Sequence, residues 1–127
     1  MQITVRENQG MEEWVVAIKG SFDFETARAF LAEMKNQTWS GKARIVFDLV
    51  DAEHLESSGL GAMLLVAERM RSPSRPVIRC GHERVWGVLR IAHMERIFDL
   101  VPVGPLQYLV TLTHPSAAAA AKAKALL

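Results

Sequence analysis

The residue types able to do chemistry crowd into residues 47–65, Phe-Asp-Leu-Val-Asp-Ala-Glu-His-Leu-Glu-Ser-Ser-Gly-Leu-Gly-Ala-Met-Leu-Leu. Asp51, Glu53 and Glu56 lead into two hydroxyls, Ser57 and Ser58, with His54 among the acids and Gly59 and Gly61 behind the serines. Four patterns of catalysis or nucleotide binding fail on this stretch. A nucleophile elbow needs Gly-x-Ser-x-Gly, and Ser57 has Leu55 where the first glycine belongs. His54 has no evident acid–base partner at a fixed spacing. A phosphate loop needs Gly-x4-Gly-Lys-Ser/Thr, no lysine follows Gly61, and Gly59-x-Gly61 lacks the third glycine of a dinucleotide fingerprint. The sequence therefore reads as a non-enzyme with no cofactor. Two readings stay open. In one, Ser57 is a plain helix cap and the glycines only allow close packing. In the other, Ser57 takes up a phosphate: a helix start stabilises an anion, and a phosphate beside Glu56, Glu53 and Asp51 would be tolerated by the fold while repelling an acidic partner.

Elsewhere the chemistry is sparse. His82 and His93 have no Cys or carboxylate pair at ligand spacing, so no metal site is expected. Cys80 is the only cysteine, which excludes an intrachain disulfide and CxxC sites and suggests an inert buried thiol. Arg69, Arg71, Arg75 and Arg79 form a local basic run, read as a solvated face or a contact for an acidic partner. Fifteen Lys and Arg against 14 Asp and Glu leave a net charge of +1. No field of one sign is available to recruit nucleic acid or an anionic membrane. No apolar run approaches the roughly 18–20 residues of a membrane span, so no direct membrane insertion is expected. The first residues do not pattern as a signal peptide, and a reducing cytoplasm is the expected setting. Trp14 and Trp39 read as core or core-edge, and Trp86 as either core or surface.

The elements that must hold these residues follow from periodicity. A chain of 127 residues is one domain. Ile3 and Val5 alternate with polar neighbours in a first strand, residues 8–10 turn, and a second strand over 14–18 closes an antiparallel hairpin. Ser21 or Asp23 opens a helix whose Ala27, Phe30, Leu31 and Met34 fall on one face. A strand over 43–49 has a near-continuous apolar centre, as expected when both its faces are covered. Residues 51–56 read as a loop, and a helix runs from Ser57 to about residue 71 with Ser57 as N-cap. A strand over 77–80, a helix from 82 to about 90 and a further strand within 94–103 follow. Residues 106–112 are apolar but undecided between helix and strand. The alanine-rich end is a loosely docked helix or a frayed tail. The fold class is α/β, a mixed, mostly parallel sheet of four to five strands flanked by helices, over residues 1–104, with an extension over 105–127. On the second helix Leu60, Met63, Leu64 and Ala67 form a stripe that Ala62, Leu65 and Val66 leave. That helix is either buried all round or presents Ala62 and Leu65 as a docking face beside Ser57.

These residues resemble a family. Gly20-Ser21-Phe22-Asp23 before a helix, Asp48-Leu49, Glu56-Ser57-Ser58-Gly59-Leu60-Gly61, and the stretch from Leu89-Arg90-Ile91 to Ile97-Phe98 look like the STAS domain of anti-sigma-factor antagonists, over roughly residues 3–103. The resemblance implies a partner, an anti-sigma factor that is itself a serine kinase. The unmodified antagonist binds it and frees a sigma factor, phosphorylation breaks the complex, and a PP2C-type phosphatase resets it. Carried over, the phosphoacceptor is Ser57, with Ser58 as fallback. Asp23 matches the family's aspartate near the serine, and Glu56, Ser58, Gly59, Leu60, Gly61, Ala62 and Leu65 surround the contact. Glu56 stands where the family usually has Asp, and residues 104–127 match poorly; their alanine-rich end is a candidate for homodimer formation. The alternative within the resemblance is a constitutive scaffold or transporter-associated subunit that is never phosphorylated.

Overall fold

A computed structural model describes residues 2–37 and 43–113. In chain order it contains β1 (Ile3–Asn8), β2 (Glu13–Ile18), β3 (Gly20–Phe22), α1 (Phe24–Lys35), β4 (Arg44–Leu49), β5 (Ala52–Leu55), α2 (Ser57–Met70), β6 (Val77–Cys80), α3 (Glu83–Ile91), β7 (Asp99–Pro102) and α4 (Leu106–Thr113), with short 3-10 turns at Gln9–Met11 and Met94–Arg96. The main sheet has five strands in the order β1-β2-β4-β6-β7. β1 and β2 form the expected antiparallel hairpin, from Ile3 opposite Ile18 to Asn8 opposite Glu13. The remaining pairs, β2 with β4, β4 with β6 and β6 with β7, are parallel. The mixed, mostly parallel sheet flanked by helices is thus the architecture of the molecule.

Strand alternation sorts the side chains onto two faces. Val16, Ile18, Ile45, Phe47, Leu49, Ile78 and Cys80 join Phe22, Phe30, Met63, Leu89 and Phe98 in the main core. Its centre is a chain of edge-to-face rings, Phe22–Phe30, Phe30–Phe47 and Phe47–Phe98, with centroids 5.6, 5.8 and 5.9 Å apart. The other face carries a small cluster of Val15, Val46 and Val77, with Val101 packed against it. Asp48 pairs with Arg79 at 3.1 Å, Glu13 with Arg44 at 3.3 Å and Asp99 with Arg75 at 2.8 Å. Arg75, just before β6, and Arg79 on it are thus paired with acids of neighbouring strands while their side chains stay largely solvated.

Three further differences from the sequence reading have physical causes. The stretch read as a loop contains β5, which pairs in parallel with β3 as a separate two-stranded sheet. Both strands are too short for an alternation to show, and tertiary pairing alone makes them strands. Gly20, at φ +76°, makes the turn from β2 into β3 that an L-residue enters only with strain. Residues 106–113 are helical, and Leu106 and Val110 are buried in the main core. The third helix begins at Glu83, and His82 caps it by accepting from the Arg84 amide at 3.2 Å. Trp14 and Trp86 are buried. Trp39 and the alanine-rich end lie outside the described residues.

Candidate functional site

The small second sheet is what builds the site. β3 and β5 run parallel with Phe22 opposite Leu55, and the Glu56 amide donates to the Phe22 carbonyl at 3.1 Å. Each strand runs through one residue into a helix, Asp23 into α1 and Glu56 into α2. Two helix N-termini therefore start side by side, with Phe24 and Ser57 as their first residues. Asp23 caps α1: its Oδ1 accepts from the Thr26 amide at 2.9 Å, and that bond holds its carboxyl below the usual carboxylate range. Thr26 in turn donates its hydroxyl to Gln2 at 3.1 Å, tying the cap to the start of β1.

At α2 the cap is Glu56 and not Ser57, a correction to the sequence reading. Glu56 has extended backbone, its carbonyl accepts from the Gly59 and Leu60 amides at 3.0 and 3.2 Å, and its side chain makes no capping bond. The strand pairing fixes this: the Glu56 amide is held to Phe22, so the chain turns helical only after it. Ser57 is one step inside the helix, exposed, and its hydroxyl takes no part in the side-chain hydrogen bonds among the described residues. Ser58 differs. Its Oγ is buried and has no hydrogen-bond partner among the described residues. Of the two hydroxyls, Ser57 alone faces solvent.

The glycines separate in the same way. A Cβ on Gly59 would lie 2.9 Å from both Leu55 Cδ1 and Phe22 Cγ, so that glycine is required by packing of α2 on the small sheet. A Cβ on Gly61 would meet nothing within 4 Å. Gly61 is exposed, and no contact among the described residues requires its lack of a side chain. Ser57, Gly61 and Leu65 are all exposed and, four residues apart, form one row along α2. Leu60 is half-buried against the core. Ala62 is 3% exposed while Leu65 is 36% exposed, so the pair read as one docking face divides: Ala62 packs inward and Leu65 stays out. Ala62 lies on the same side of the helix as Val66, which the core covers.

The remaining candidates carry no chemistry here. His54 is exposed on β5 and forms no hydrogen bond or ion pair among the described residues. Cys80 is fully buried, donates to the His82 carbonyl at 3.4 Å, and burial pushes its thiol up to about 11. Among the described residues no three His, Cys, Asp or Glu side chains gather as a metal site. Sequence reasoning missed Phe24, which is 60% exposed beside Asp23, with the Arg28 guanidinium 6.0 Å from its ring centroid. The signal was present: Phe24 lies off the apolar face formed by Ala27, Phe30 and Met34.

With this geometry in view, comparison with known proteins places the chain. The family profile described as STAS domain matches residues 2–106. The chain belongs to the STAS domain family. Over 80 residues it is 29% identical to a Bordetella bronchiseptica protein named as an anti-sigma factor antagonist, BtrV, an alignment covering 63% of this chain and 67% of that relative. A crystal structure of the STAS domain of an antisigma-factor antagonist from Rhodobacter sphaeroides aligns with a TM-score of 0.41 at 15% identity, over 65% of this chain and 85% of the other. No described helix is long and apolar enough to cross a membrane.

Proposed function

We propose that this chain is an anti-sigma factor antagonist, a binding module switched by phosphorylation at Ser57. The observation that carries the reading is the solvent-facing Ser57 hydroxyl at the first position of α2, next to an N-cap whose side chain leaves the helix start open. In this reading the unmodified chain binds an anti-sigma factor serine kinase in the cytoplasm and a sigma factor is released. The kinase then transfers a phosphoryl group from ATP to Ser57 Oγ. The hydroxyl proton leaves, the new O–P bond forms, and ADP departs. The chain contributes a substrate and no catalytic group of its own. A PP2C-type phosphatase hydrolyses the phosphoserine and restores the binding form.

The physics of the switch follows from position. A phosphoserine adds about −1.5 to −2 charges. At the first helical residue it meets free amides and the positive end of α2, so the fold accepts it. Docked against a second protein, the same charge must lose water, and like charge on that protein repels it. The Bordetella relative's name and the family to which the chain belongs support this role. The test is phosphate uptake from a purified anti-sigma factor serine kinase, read by intact mass. The wild-type chain gains one phosphate, Ser57→Ala gains none and still binds, and Ser57→Asp binds weakly. Stable binding that neither ATP nor Ser57→Asp disturbs would instead identify a constitutive scaffold.

A further inference from the structure

Both helices that start at the small sheet bury their third and seventh residues, Thr26 and Phe30 on α1, Gly59 and Met63 on α2. They are therefore in phase, and both turn their first and fifth residues outward. On α1 these are Phe24 and Arg28; on α2 they are Ser57 and Gly61, followed by Leu65. The result is a two-row platform around the Ser57 hydroxyl. Phe24 and Leu65 are its exposed apolar members, at 60% and 36%. The open space above Gly61 is a notch on the row between Ser57 and Leu65. Glycine inside a helix destabilises it relative to alanine, and no contact among the described residues requires it here. Arg28 forms no ion pair among the described residues, and its guanidinium lies over the Phe24 ring. An exposed aromatic with an arginine stacked on it is the composition of an interface hot spot.

Resting on the function proposed above, we infer that the partner's contact segment carries an apolar side chain that seats over Gly61 against Phe24 and Leu65, and beside it a carboxylate that pairs with Arg28. Charge complementarity argues for the acid, since Arg28, the cation of the platform, makes no ion pair among the described residues. The same carboxylate gives the switch its sign. A dianion at Ser57, one row from Arg28, repels the partner's acid and competes with it for the guanidinium. Phosphorylation then breaks the contact without any movement in the core.

The probe is the purified anti-sigma factor serine kinase that phosphorylates the wild-type chain, titrated calorimetrically. Phe24→Ala and Arg28→Glu each weaken binding roughly ten-fold or more, and Arg28→Glu also flattens its salt dependence. Gly61→Ala separates stability from binding: it melts higher by roughly 2–8 °C yet binds more weakly. Three variants that bind like wild type, while Ser57→Asp still abolishes the complex, overturn this inference and leave the proposed function standing. If no such kinase of the source cell phosphorylates the wild-type chain, the proposed function fails and the inference with it.

Discussion

Ser57 and Ser58 are the same side chain one residue apart, and a helical step of about 100° gives them opposite fates. Ser57 points to water and Ser58 Oγ is covered. Sequence could nominate both serines and rank them by resemblance; it could not see that the Glu56–Phe22 hydrogen bond sets the phase of the helix that separates them. The glycines carry the same lesson with a measurable sign. Gly59→Ala forces a methyl to 2.9 Å from Phe22 and Leu55 and should cost about 1–3 kcal/mol. Gly61→Ala meets open space and should stabilise by about 0.5–1 kcal/mol. Chemical denaturation of the two variants gives opposite shifts. Cys80 supplies a pH prediction. Its thiol is raised from 9.0 to about 11 in the folded chain, so the folded state holds its proton where the unfolded state gives it up. Stability is untouched below pH 9 and falls as pH rises from about 9 toward 11. Native Cys80 should react slowly with a thiol reagent at pH 8 and promptly once the chain is unfolded.

At the scale of elements, the hairpin, α1, α2, α3 and the parallel strands were legible because each is long enough to show a period or is bounded by turn residues. β3 and β5 were not, with three and four residues apiece. They matter more than their size: their parallel pairing, which ends at Phe22 opposite Leu55 after a register shift between Gly20 and Ser21, starts α1 and α2 from neighbouring strands. Phe22 is the pin, fully buried, edge-on to Phe30 at 5.6 Å and bonded through its carbonyl to Glu56. Phe22→Ala should cost about 3–5 kcal/mol, a large share of a typical domain's stability. The milder Phe22→Leu keeps the chain folded and should loosen the α2 start, read as faster amide exchange at Ser58 and Gly59. The Asp23 cap adds a pH term of the opposite sense to Cys80. Its carboxyl is depressed by the Thr26 amide, so its contribution is present above its ordinary 3.8 and is lost as pH falls below that toward its folded value. Asp23→Asn keeps a capping oxygen and should remove that acid-side dependence, checked by unfolding midpoints between pH 5 and 2.5.

Over the whole molecule, the proposed switch works at the surface and leaves the core unchanged. The ring chain Phe22–Phe30–Phe47–Phe98 and the alternating strand residues fix the sheet, and α1 and α2 start from the paired strands β3 and β5. That division explains how much a single sequence could say. The strand–helix alternation was enough to give the architecture. The ion pairs of Arg75 and Arg79, the inward packing of Ala62 and the exposure of Phe24 depend on which elements become neighbours, and no local pattern encodes that. The most direct measurement is intact-mass analysis of the chain after incubation with an anti-sigma factor serine kinase and ATP, followed by peptide mapping and size-exclusion of the mixture. One phosphate on the peptide bearing Ser57, none in Ser57→Ala, and release of the kinase in step with phosphate uptake are the predicted results. A complex that persists after Ser57 is fully phosphorylated, or a phosphate found elsewhere, would contradict the account.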